Sequence, residues 1–89
     1  MGNGEVKFMK SSEILLALNG KHLEVFKVKD FVCVLYKGAE IKDGCFLKTD
    51  YGVGLDFESA CDDYISKIRG KRLVFNAGTN DREDIMVLG

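Results

Sequence analysis

Asp56-Phe57-Glu58-Ser59-Ala60-Cys61-Asp62-Asp63-Tyr64-Ile65-Ser66-Lys67-Ile68-Arg69-Gly70, followed by Lys71-Arg72-Leu73-Val74-Phe75, decides the fold. Phe57, Ala60, Cys61, Tyr64, Ile65 and Ile68 recur at helical spacing, while Glu58, Asp62, Asp63, Ser66, Lys67 and Arg69 fill the opposite side. This predicts an amphipathic helix over Asp56 to Arg69. Asp56 suits the N-cap, acidic residues cluster in the first half, Lys67 and Arg69 sit in the last turn, and Gly70 ends it, as the helix dipole favours. Leu73-Val74-Phe75 and Ile85-Met86-Val87-Leu88 then read as two short strands of a hairpin around Gly78-Thr79-Asn80-Asp81.

Working back from the helix, Tyr51-Gly52-Val53-Gly54 reads as a bulge or turn leading into it. Cys45-Phe46-Leu47-Lys48 is a strand, reached through a connection bracketed by Lys37-Gly38 and Lys42-Asp43-Gly44. Phe31-Val32-Cys33-Val34-Leu35-Tyr36 is apolar on both parities, the mark of a strand covered on both faces. From His22 to Val28 the alternation changes phase, with Leu23 and Val25 on one parity and Phe26 and Val28 on the other. A bulge or a tight turn near Lys27 to Asp30 would resolve it. Ser11 or Ser12 caps a short helix through Leu18, with Ile14, Leu15 and Leu18 buried and Asn19-Gly20 as a left-handed stop. Glu5 to Met9 reads as a short strand or an ordered arm.

The expected architecture is α+β: a small, mostly antiparallel sheet of about four to six strands, one main helix packed on one face, and a short N-terminal helix. One helix cannot cover every apolar face of such a sheet. Either the first helix covers the second face or another copy of the chain does, which makes the chain a candidate homo-oligomer.

With 89 residues there is room for one core, so residues 1 to 89 read as a single domain. The formal charge of -1 gives no global field toward nucleic acid or an anionic membrane. Cys33, Cys45 and Cys61 are odd in number and widely spaced, which suits reduced, core or near-core thiols in a cytoplasmic protein better than a disulfide framework. The start, Met1-Gly2-Asn3-Gly4, lacks the pattern of a secretion signal, and Val6 stands where myristoylation expects Ser or Thr. No apolar run approaches the roughly 20 residues that span a bilayer. The expectation is a cytoplasmic protein with no membrane partner.

The search for catalytic chemistry returns little. His22 is the one imidazole, and it reads as the start of a strand near the surface rather than half of a Cys-His or Ser-His pair. Asp62-Asp63 and Glu83-Asp84 are adjacent pairs whose side chains diverge. Gly52-Val53-Gly54 is too short for a dinucleotide fingerprint. The run from Asn80 to Asp84 lacks the ligand spacing of an EF-hand. No catalytic residue, metal or cofactor is expected.

One local patch survives. Lys67, Arg69, Lys71 and Arg72 cluster at the helix C-terminus and the strand start, with Arg82 returning across the closing hairpin. Such a group suits phosphates or an acidic protein surface, although compensation of the helix dipole explains the same cations. Tyr36 and Tyr51 could stack on a base if exposed, whereas Tyr64 belongs to the buried stripe.

Lys42-Asp43-Gly44, Phe46-Leu47, Tyr51-Gly52, the run Phe57 to Ile65, the run Ile68 to Phe75, and Arg82-Glu83 together resemble small accessory proteins of phages and prophages of Gram-positive bacteria. The resemblance covers roughly the C-terminal half and rests on structural residues. It implies a phage-encoded domain acting in the host cytoplasm, in a class where many members antagonise host defence. The function expected on that basis is a non-enzymatic counter-defence binder. It would either sequester a signalling nucleotide or occlude a host defence protein. The alternative is a replication or transcription accessory protein that binds nucleic acid or a host polymerase subunit, against which the balanced charge argues.

Overall fold

The structure is a computed structural model that describes residues 10 to 87. The expected strand or arm at Glu5 to Met9 and the last residue of the expected final strand, Leu88, lie outside the described residues. In chain order the elements are α1 (Ser11–Asn19), a single 3-10 turn (Gly20–His22), β1 (Leu23–Val28), β2 (Phe31–Tyr36), β3 (Ala39–Asp43), β4 (Phe46–Lys48), β5 (Gly52–Gly54), α2 (Phe57–Ile68), β6 (Arg72–Phe75) and β7 (Glu83–Met86). The fold is α+β, as expected, but its strands form two antiparallel sheets rather than one. The first has the order β1-β2-β5 and the second β4-β3-β6-β7.

The main helix forms as its sequence demands. Asp56 accepts a hydrogen bond from Ser59 N–H at 2.8 Å, and Ser59 Oγ lies 3.2 Å from the Asp56 N–H, so the first turn is closed reciprocally. Ala60, Cys61, Tyr64, Ile65 and Ile68 are buried, whereas Phe57, the first residue of the stripe, stays over a third exposed. Arg69 is the C-cap, and Gly70 follows with φ at 77°.

The shorter helix departs from expectation at both ends. Lys10 is the N-cap, and its N–H donates to Glu13 at 2.8 Å. Ser11 and Ser12 lie inside the first turn and reach across to α2. Ser11 Oγ donates to Asp62, while Ser12 Oγ and N–H both donate to Glu58, at 2.7 and 3.0 Å. These serines therefore join two helices instead of capping one. Gly20 is right-handed, with φ at -58°, so α1 runs into the 3-10 turn without the left-handed stop that Asn19-Gly20 suggested. Leu15 is fully buried, with Ile14 and Leu18 packed against the core.

β1 and β2 form a hairpin through the tight turn at Lys29-Asp30, with Lys29 at φ 56°. No bulge is needed. Leu23 shares a face with Tyr36 and Val25 with Val34, directed at the helices, while Phe26 and Val28 share the other face with Cys33 and Phe31. The segment Ala39 to Asp43, expected as a connection, is a full strand that pairs with both β4 and β6. Gly52-Val53-Gly54 is a strand as well, paired with β2. Its glycines are dictated by contact: a methyl group at Gly52 would lie 2.2 Å from the Ala60 carbonyl oxygen and 2.5 Å from Tyr64 Cβ.

One core joins the inner face of the first sheet, both helices and the inner face of the second sheet through Leu15, Val34, Tyr36, Ile41, Tyr64, Ile68, Leu73 and Phe75. Tyr36 Oη donates to the Leu15 carbonyl, and Tyr64 Oη accepts the Tyr36 N–H at 3.2 Å. Both aromatic hydroxyls therefore enter the core with partners. Cys33 and Cys61 are buried, and burial pushes the Cys61 thiol up to about 11. Cys45 is exposed in the β3–β4 turn, contrary to the expectation that all three thiols are core or near-core. No helix of the described residues is long and apolar enough to cross a membrane.

The helix contacts carry a pH dependence. Hydrogen bonds from Ser12 hold the Glu58 carboxyl below its ordinary value, and the Val53 N–H does the same for Asp63. A depressed carboxylate stabilises the fold above its unfolded-state pKa, and that contribution is lost as pH falls through its folded-state value. Acidification below the ordinary carboxylate range is therefore expected to loosen α1 from α2. Hydrogen exchange, corrected for the intrinsic rate at each pH, would show it as a lower protection factor at the Ser12 amide in acid than at neutral pH, and Glu58→Gln should blunt the difference.

Candidate functional site

The cations expected to act together are divided by the fold. Lys67 turns toward β5: its ammonium lies 3.0 Å from Asp63, 3.7 Å from Asp50 and 2.8 Å from the Tyr51 carbonyl oxygen. It also sits 5.5 Å from the centroid of the Tyr51 ring. Burial alone would lower its pKa, but the Asp63 hydrogen bond and the Asp63 and Asp50 charges raise it on balance. This lysine is a structural tether. Tyr51 lies beside it and lines a different surface, described below. Arg69 is exposed at the helix end and does not line the cleft formed by its neighbours.

Lys71 and Arg72 do line a cleft, together with Lys42, Gly44, Gly70 and Met86, around a volume of about 500 Å³. The strand register explains the convergence. Lys42 on β3 stands opposite Arg72 on β6, and Arg72 stands opposite Met86 on β7. Leu47 on β4 stands opposite Lys42 on the other side, so Leu47, Lys42, Arg72 and Met86 form one row across the outer face of the second sheet. Adjacent strands are about 5 Å apart, so the two cations are close enough to share one anionic group.

Arg82 does return to this face, but through a carboxylate. Its guanidinium holds both Asp84 oxygens, at 2.9 and 3.2 Å. Arg72 reaches the same carboxylate only at 3.9 Å. The Arg82 hydrogen bond is the main reason that the Asp84 carboxyl is held below its ordinary value, with Arg72 and Lys42 adding to the effect. Arg72 is thus loosely engaged.

The backbone around the cleft offers little to an anion. The Gly70 N–H donates to the Val87 carbonyl at 2.8 Å and the Lys71 N–H to the Ile68 carbonyl at 2.9 Å. Binding there depends on side chains. Lys42 and Met86 are the members that sequence reasoning missed. Lys42 lies thirty positions before Arg72, and only the β3–β6 register brings the two together.

A second surface lies on the outer face of the first sheet. Phe26, Val28, Phe31, Cys33, Tyr51 and Val53 line an apolar groove of about 370 Å³. Phe26, Val28 and Phe31 are each more than two-fifths exposed. The first helix does not cover this face, because Leu15 and the α1–α2 contacts place it with the core on the other side. His22, expected to begin a strand, instead ends the 3-10 turn just before β1; it hydrogen-bonds Asn19 at 3.0 Å and packs on the Phe75 ring at 5.3 Å. Among the described residues no group of three or more His, Cys, Asp or Glu could hold a metal ion.

No protein-family model matches the chain, and neither a curated protein nor a solved structure matches it.

Proposed function

We propose that the chain is a non-enzymatic binding protein that captures a phosphorylated ligand in the cleft of Lys42, Lys71 and Arg72. Its biological role would be counter-defence through sequestration of a nucleotide signal, in the phage setting implied by the resemblance. The observation that carries the binding reading is the cross-strand pair Lys42 and Arg72, two exposed cations held on neighbouring strands beside the apolar side chain of Met86. A guanidinium and an ammonium at this spacing suit one phosphate group, and a polarizable thioether suits the flat body attached to it.

Lys42→Ala and Arg72→Ala are each expected to weaken binding of a phosphorylated ligand by about tenfold or more, the worth of one charge-assisted hydrogen bond. Their melting temperatures should stay close to that of the parent, since both side chains are exposed. Calorimetric titration with a nucleotide panel measures the first effect and thermal denaturation the second. Unchanged binding in the double variant would sink the reading. Lys67→Ala should affect stability instead.

A second reading, occlusion of a protein partner or pairing with a second copy, is favoured by the uncovered apolar face around Phe26, Phe31 and Tyr51. Native mass spectrometry on protein recovered gently from bacterial extracts separates the two. An added small mass supports sequestration, and a complex with a polypeptide supports occlusion.

A further inference from the structure

We infer that the cleft admits a compact phosphorylated ligand of mononucleotide size and turns away nucleic-acid strands, with Glu40 and Asp84 as the residues that set this limit. The inference rests on the reading of the cleft as a phosphate site and specifies its ligand. On the outer face of the second sheet the cationic row of Lys42 and Arg72 is followed by a row of opposite sign. Two residues along the same strands stand Glu40 on β3, Val74 on β6 and Asp84 on β7, opposite one another in register. Residues two apart on a strand are about 7 Å apart on the same face. Along the strands in that direction the cations therefore give way to carboxylates within about one phosphate width, and Arg82, the next cation on that face, is taken up by Asp84.

A nucleic-acid groove needs cations that track the backbone over several phosphates, with aromatic platforms beside them. Here a nucleic-acid strand laid along β3 and β6 from Lys42 and Arg72 would place its next phosphate at Glu40 and Asp84. Asp84 is fixed in place by both of its bonds to Arg82, so it cannot swing away without breaking them. A small ligand meets no such conflict. Its phosphate lies between Lys42 and Arg72, and its body extends over Met86, which is about half exposed. Arg72, held only at 3.9 Å by Asp84, can turn to the phosphate while Asp84 remains with Arg82.

The test uses the purified chain with adenosine 5′-monophosphate, inorganic phosphate and a long fluorescein-labelled oligothymidylate, all at one ionic strength. The parent protein should bind the mononucleotide more tightly than the oligothymidylate. Glu40→Gln combined with Asp84→Asn should raise oligothymidylate affinity by about tenfold or more, with a steeper salt dependence, and alter mononucleotide affinity far less. Glu40→Gln alone, which leaves the Arg82–Asp84 contact intact, should give part of that gain. Met86→Ala should weaken the mononucleotide by about two- to tenfold and leave inorganic phosphate unchanged.

A parent protein that prefers the oligothymidylate, or a double variant with no gain, overturns the inference and leaves the phosphate site standing. If the parent binds none of the three probes, the site itself is refuted.

Discussion

Gly52→Ala is expected to destabilise the fold by about 3 kcal/mol or more, the upper range for forced overpacking. Urea denaturation followed by circular dichroism would measure it. The added methyl would meet backbone as well as side chain: the Ala60 carbonyl oxygen at 2.2 Å, Tyr64 Cβ at 2.5 Å and the Tyr64 nitrogen at 2.7 Å. None of these is the free end of a flexible side chain. Relief requires β5 and α2 to separate, which opens the core along Ala60 and Tyr64. Gly44→Ala is the control. Nothing lies within 4 Å of a methyl there, and only the left-handed φ of 66° opposes it, so about 1 kcal/mol is expected. Equal losses at the two positions would show that the close contacts around Gly52 are relieved at little cost, since Gly52 does not share the left-handed φ of Gly44.

Tyr64→Ala should cost about 3 to 5 kcal/mol, the range for truncating a large buried aromatic. The ring is 2% exposed and packs 5.8 Å from Tyr36, centroid to centroid. Its hydroxyl also accepts the Tyr36 N–H, and Tyr36 in turn binds the Leu15 carbonyl, so one side chain links α2 to β2 and, through it, to α1. Tyr64→Phe separates the two contributions. It keeps the ring and strands a buried donor, for an expected loss of about 1 to 3 kcal/mol. A phenylalanine variant as stable as the parent would mean that the hydroxyl contributes nothing and that packing alone carries the tyrosine.

The parts of this fold visible in the sequence are those decided by neighbours along the chain. Helix α2 was legible from its stripe, its Asp56 cap and Gly70, because all three act within a few residues. The closing β6–β7 hairpin was legible for the same reason, while the turn at Lys29-Asp30 was legible only as one of two options, a bulge or a tight turn near Lys27 to Asp30. The division into two sheets was not, because it depends on β3 pairing with β6 across the whole of α2. Periodicity could not show that Ser11 and Ser12 would bind Asp62 and Glu58 rather than cap α1, since their partners lie more than forty residues away.

The candidate site follows the same division. Lys71 and Arg72 were legible as a basic pair next to the helix end, and the structure places both on one cleft. Lys67 belonged to the same sequence cluster, yet helical geometry turns it one face away, where Asp63 at the preceding turn holds it. Arg82 was expected nearby and is nearby, but it is occupied by Asp84.

The way β5 is held has a bearing on assembly. Its outward Val53 N–H is taken by the Asp63 carboxylate at 2.9 Å, and Lys67 secures that carboxylate. At the opposite margin, the bond from Lys37 N–H to the His22 carbonyl sets a phase in which Leu23, Val25 and Lys27 direct their peptide groups away from β2. This sheet consequently has one sealed border and one that can accept a strand. If crowding or partial unfolding drove two molecules to join through β1, the joined sheet would present a sealed border at each end. Association by this route terminates at a pair and cannot run on into a fibre.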